Sequence, residues 1–110
     1  MGSKDDSIYI EQALEEIQTI IEYTSNLSYE EFLSDKRTID ATMFRLQQMA
    51  EKLKKLSASF KSGHPEIPWS QIIGFRNEIV HEYGRTDFSI VYAIVTKDLC
   101  DLREILSSTI

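Results

Sequence analysis

The segment from Pro68 to Tyr83 concentrates the side chains of this chain that can do chemistry. His81 carries an imidazole, which gains and loses a proton near neutral pH and serves as a general acid or base. Arg76 carries a fixed positive fork that binds phosphate oxygens two at a time and stabilises charge building on them. On a helix, Ser70, Gly74, Asn77 and His81 fall on one stripe by steps of four, three and four. That row of small and polar side chains resembles neither a core nor an ordinary surface. Ile72, Arg76, Ile79 and Tyr83 make a second row beside the apolar face. The five-residue step from Arg76 to His81 turns roughly 140° about the axis, so the two do not stack, yet both reach a cleft that the helix borders. Gly74 lets a second backbone come close, and the same helix of a twofold-related copy is the natural candidate. Two copies of Arg76 and His81 would then share one cleft.

The elements that position these residues are all helical in pattern. Ile10, Leu14, Ile17, Ile21 and Thr24 step by three or four, predicting an amphipathic helix from about Ser7 to Thr24, capped by Asp5, Asp6 and Ser7. Ser28 followed by Glu31 has capping-box spacing and predicts a short helix carrying Phe32 and Leu33 inward. Ile39, Met43, Leu46, Ala50, Leu53, Leu56 and Phe60 extend the longest helix from about Lys36 to Phe60. The stretch Ser62 to Pro68 breaks the pattern, and Pro68 opens a helix from Trp69 to about Tyr83. After Gly84, Asp87 caps a last helix from Phe88 towards Leu106 through Val91, Ile94, Val95, Leu99, Leu102 and Ile105. The β-branched run Ile90 to Val95 would suit a strand, but the period continues to Leu106 and no second strand is available to pair with it. The expected fold is all-α: an antiparallel bundle of four main helices plus a short helix.

At 110 residues the chain suits one domain spanning 1–110, with residues 1–6 expected to be flexible. Met1-Gly2-Ser3 reads as a cloning remnant, and the segment after it lacks the apolar core of a signal peptide. No apolar run approaches the roughly 18 residues of a membrane span. The net charge of -6 repels nucleic acid on average but allows a local basic cleft. One cysteine, Cys100, makes no internal disulfide, and with two scattered histidines it builds no zinc site. A cytoplasmic protein without metal or cofactor is expected.

Arg76, four residues, His81, one residue, then Tyr83 resembles the signature of the HEPN superfamily in its HepT-like toxin branch. The resemblance extends over nearly the whole chain, through Tyr23, Ser28-Tyr29-Glu30-Glu31-Phe32, Asp35, Pro65 to Trp69, Arg76-Asn77, His81-Glu82-Tyr83, Asp87 and the helix to Leu106. The chain departs from the branch at Met49-Ala50-Glu51-Lys52, where Ile-Gly-Glu-Ala is frequent, and near Cys100, where a proline is frequent. The resemblance implies a homodimeric, metal-independent endoribonuclease toxin. It further implies a partner nucleotidyltransferase of the MntA type that neutralises the toxin by adding AMP to the motif tyrosine, here Tyr83. His81 would take the proton of a ribose 2′-OH or return one to the leaving 5′-oxygen, while Arg76 would steady the pentacoordinate phosphorus. Asn77 would orient His81 or bind the nucleotide, and Tyr83 would help hold RNA. An AMP on Tyr83 would bring bulk and negative charge into the cleft and exclude an RNA phosphate.

Plainer roles stand beside these. His81 can serve as a cap on its helix's C-terminal dipole. Arg76 can pair with Glu78, Glu82 or a carboxylate of the first helix. Tyr83 can be a buried aromatic, and Trp69, Ile73 and Phe75 fit a core or dimer interface better than a base-stacking platform. Lys52, Lys54, Lys55 and Lys61 form a solvated face or, if RNA binds, an electrostatic track. His64 suits a structural role in its loop; Glu51 is a cap partner or a cleft acid. A different class of function also fits: a non-catalytic dimeric binding module partnering a nucleotidyltransferase, with Tyr83 an AMP acceptor only.

Overall fold

Three local caps decide where the chain turns. Ser28 and Glu31 form the expected capping box, with Glu31 N donating to Ser28 Oγ at 3.1 Å and Ser28 N to Glu31 Oε1 at 2.9 Å. Asp35 accepts from Thr38 N at 3.1 Å and Thr38 Oγ1 at 2.8 Å, and these bonds hold its carboxyl below the usual range. Asp87 accepts from Ser89 N at 2.9 Å, as its position before the last helix predicts.

The computed structural model describes residues 4–110, and all of their regular structure is helical. The elements are α1 (Lys4–Thr24), α2 (Tyr29–Ser34), α3 (Lys36–Lys54), α4 (Ala58–Gly63) and α5 (Trp69–Glu82). A 3-10 turn (Tyr83–Arg85), α6 (Phe88–Ala93), a π turn (Ile94–Asp98) and α7 (Leu99–Ser107) complete the chain. The reading of Ile90 to Val95 as helix, not strand, agrees with this.

Pairs distant in sequence give the helix directions. Asp6 meets Ser57 and Glu16 meets Arg45 at 3.1 Å, so α1 and α3 run antiparallel. Glu51 meets Arg76 and Asp40 meets Tyr83, so α3 and α5 do too. Gln18 meets Arg103 at 3.2 Å and Leu27 O accepts from Tyr92 Oη at 3.0 Å, which turns α6 and α7 back along α1. The result is the expected antiparallel bundle of four main helices, with α3 between α1 and α5. One core runs through it, built on Ile17, Phe32, Met43, Leu46, Leu53 and Leu106, each 0–1% exposed.

Four details differ from the sequence expectations. First, α1 begins at Lys4, and Asp6 is buried there, its carboxylate accepting from Ser57 N at 2.8 Å and Ser57 Oγ at 2.6 Å. The expected cap residues thus lie inside the helix, and Asp6 reaches across to the start of α4. Of the residues 1–6 expected to be flexible, Lys4, Asp5 and Asp6 lie in α1, and Met1-Gly2-Ser3 lie outside the described residues. Second, the inward stripe of α1 is Ile10, Ala13, Ile17, Ile20 and Thr24, while Leu14 and Ile21 are half-buried beside it. Third, the long helix stops at Lys54 and restarts at Ala58, because Ser57 accepts from Phe60 N at 3.1 Å and caps a separate short helix.

The fourth difference is the π turn. Val91, Val95 and Leu99 are all buried, two successive steps of four that would drift roughly 80° around a regular α-helix. The wider turn at Ile94–Asp98 absorbs that drift and keeps the three on the core face.

Candidate active site

On α5 the two rows read from the sequence separate cleanly. Ile79 is buried, and Ile72, Arg76 and Tyr83 are half-buried towards α3, whereas Ser70, Gly74, Asn77 and His81 are all exposed. A Cβ added at Gly74 would meet nothing within 4 Å. The small residue leaves an open track along the outer face of α5.

Arg76 is held from two sides. Its Nε and Nη2 face Glu51 Oε1 from α3, and Nη1 donates to Asn77 Oδ1 at 3.1 Å. The ion pair differs from the partners weighed from sequence: Glu82 pairs with Arg85 at 3.4 Å, and the carboxylate that meets Arg76 comes from the facing helix, two turns of α5 away from Tyr83. The pair is largely buried, its side chains 22% and 29% exposed, and one edge of the guanidinium is spoken for. Of its five N–H groups, those on Nε, Nη1 and Nη2 that face Glu51 and Asn77 are engaged, and Nη1 and Nη2 each keep one further N–H.

Asn77 therefore serves Arg76 and not His81, whose imidazole stands exposed at the last turn of α5. Tyr83 lies one step further, in the 3-10 turn, with Phe88 edge-on at 6.0 Å between ring centres. Its hydroxyl donates to Asp40 Oδ1 of α3. Burial first, then the hydrogen bond and negative charge of Asp40, push the phenol up from 10.0 to about 12. The chain thus groups Arg76, Asn77 and Glu51 at one place and Tyr83 with Asp40 at another, with His81 on the outer face between them in sequence.

Asp40 was not singled out from the sequence, and Glu51 only as one option among several. The signal was present: Asp40, Phe44, Gln47 and Glu51 step by four, three and four along α3 and oppose the row Arg76, Ile79 and Tyr83. Trp69 has a structural role, its Nε1 donating to Lys61 O and His64 O at 3.1 Å each. His64 stacks on Phe60 at 4.2 Å, as the loop reading expected. Lys61 Nζ donates to Lys54 O at 2.8 Å and Lys55 lies over the Tyr9 ring, so these two lysines also have local partners. Among the described residues no three His, Cys, Asp or Glu side chains are grouped to hold a metal ion, and no helix is long and apolar enough to cross a membrane.

An all-helical antiparallel bundle displaying Arg76, His81 and Tyr83 at the end of its third main helix is the arrangement of a HEPN-like domain. Residues 10–109 match the ribonuclease HepT-like family, and the chain belongs to it. It is 34% identical over 86% of its length to a Thermococcus cleftensis protein named "Probable ribonuclease HepT", covering 86% of that protein. A Methanocaldococcus jannaschii protein provisionally named as an RNase is 29% identical over 96% of this chain and 91% of its own length. A third, from Caldanaerobacter subterraneus and also provisionally named as an RNase, is 29% identical over 87% and 86%. No solved structure matches the chain at a significant level.

Proposed function

We propose that this chain is a metal-independent endoribonuclease acting as the toxin of a toxin–antitoxin pair in the cytoplasm. The observation that carries the reading is α5 itself, which presents an exposed His81 on its outer face and, on the row turned to α3, an Arg76 braced by Glu51 and Asn77, in a chain of the HepT-like family. His81 acts as general acid or base on the ribose 2′-OH and the leaving 5′-oxygen. Arg76 stabilises the phosphorus centre, and Asn77 keeps its fork turned to the phosphate. Asn77 and Tyr83 contribute to holding the RNA. The open track at Gly74 supports a homodimer in which two α5 helices lie together and two sets of Arg76 and His81 border one cleft. A nucleotidyltransferase of the MntA type neutralises the toxin by adding AMP to Tyr83.

The second reading, a non-catalytic dimeric module that partners a nucleotidyltransferase, draws on two features. The net charge of -6 works against RNA, and Arg76 is already paired with Glu51.

The deciding experiment expresses this chain alone, beside folded His81→Ala and Arg76→Ala forms, and follows growth and total RNA. Growth arrest with discrete RNA fragments from the unaltered chain only, and a cleavage rate lower by roughly 10²–10⁴ in the His81 variant, fits the ribonuclease reading. Equal arrest by all three, or no change in RNA, favours the binding module.

A further inference from the structure

Tyr83 carries a feature that neither RNA cleavage nor phosphate binding uses. Its hydroxyl is bonded to Asp40, and beside the pair lies a depression of about 350 Å3 lined by Met43, Phe44, Gln47, Ile79 and Val80. Phe44 is 54% and Val80 42% exposed, so an apolar shelf opens to solvent next to a potential nucleophile. An aromatic face with one amide nearby suits a planar heterocycle such as a nucleobase. Glu82 and Arg85, which flank Tyr83 in sequence, are turned to each other, which leaves Asp40 as the carboxylate at the hydroxyl.

A phenol pushed up to about 12 does not accumulate as phenolate at neutral pH. Its proton must leave while the new bond forms, to a base that already holds it. The geometry points to Asp40 as that base, holding the Tyr83 hydroxyl at the rim of the shelf and taking its proton as the phenol oxygen attacks the α-phosphorus of ATP. The bond from Tyr83 Oη to phosphorus forms, the bond from phosphorus to the pyrophosphate oxygen breaks, pyrophosphate departs with that electron pair, and the proton rests on Asp40 before passing to water. This inference rests on Tyr83 being the nucleotide acceptor and adds the residue that makes it one.

The test uses the whole chain and 5′-fluorosulfonylbenzoyl adenosine, an adenosine electrophile that sulfonylates phenols with loss of fluoride, read residue by residue by mass spectrometry. Tyr83 is expected to label faster than the exposed Tyr23 and Tyr29. Asp40→Asn slows Tyr83 at neutral pH by about tenfold or more while Tyr23, Tyr29 and the helical circular dichroism stay unchanged. Asp40→Glu restores part of the rate, and the deficit closes at alkaline pH, where hydroxide takes the proton. If Asp40 merely kept the phenol protonated, Asp40→Asn would make it more acidic and label it faster. Faster or unchanged labelling overturns the role of Asp40 and leaves Tyr83 as acceptor. Labelling of Tyr83 no faster than Tyr23 and Tyr29 in the unaltered chain overturns the acceptor reading itself.

Discussion

The seam between α1 and α3 and the seam between α3 and α5 are built from different chemistry. On the first, Ile10, Ala13, Ile17 and Ile20 of α1 join Met43, Leu46, Ala50 and Leu53 of α3, all at most 2% exposed. On the second, Ile79 is the buried apolar residue of α5, and a polar pair ties the helices on either side of it: Glu51 with Arg76, and Asp40 with Tyr83. The first seam rests mainly on excluding water from carbon, with Glu16–Arg45 and Asp6–Ser57 as its polar edges. The second fixes the direction of four functional-type side chains and leaves the outer stripe of α5 uncovered. The fold rests mainly on one seam, and the polar pairs that hold Arg76 and Tyr83 lie on the other.

Breaking that contrast starts with the apolar seam. Ile17→Ala should lower stability by about 2–5 kcal/mol in urea unfolding, and Ile72→Ala, half-buried on α5, by clearly less. Equal losses would mean that α5 carries as much of the fold as α1.

A smaller effect belongs to the polar seam and to pH. A phenol raised on folding from 10.0 to about 12 favours the folded state below pH 10 and loses that contribution as pH climbs towards 12. Unfolding midpoints should therefore fall over that interval in the unaltered chain more than in Tyr83→Phe, in which the other tyrosines still titrate. Parallel curves would show that folding, through burial and Asp40 together, does not raise the Tyr83 phenol.

The smallest effect concerns the uncovered stripe. Gly74→Ala should raise the thermal stability of dilute protein by up to about 1 kcal/mol, since the new methyl meets nothing and the helix gains propensity. A loss in concentrated protein, with dissociation on a sizing column, would place a partner helix against this residue.

Much of this was legible beforehand for a local reason. The capping box at Ser28, the cap at Asp87 and the two rows on α5 depend on residues within a turn or two of each other, and periodicity reports such relations directly. Asp40 escaped, and Glu51 stayed open between a cap partner and a cleft acid, because their partners lie 43 and 25 residues away and only the register of α3 against α5 brings them together. Asp6 was misplaced for the same cause: read locally it is a cap for its own helix, yet the fold presents it to Ser57, 51 residues on. The break between α3 and α4, where Ser57 caps the next helix, is one that periodicity through Leu56 and Phe60 could not register.

The π turn at Ile94–Asp98 has a consequence for how the chain tolerates changes of length. It behaves as a one-residue insertion already accommodated: the slack sits in one wide turn, and the flanking helices keep their inward faces. Deleting the exposed Thr96 would return the segment to a regular α-helix while shortening it by one position. The same deletion within α5 ahead of Arg76 would rotate every later residue by roughly 100° and swing the arginine away from Glu51. Within one small bundle, the last helix is the part where the residue count can drift, and the helix bearing Arg76 and His81 is the part where it cannot.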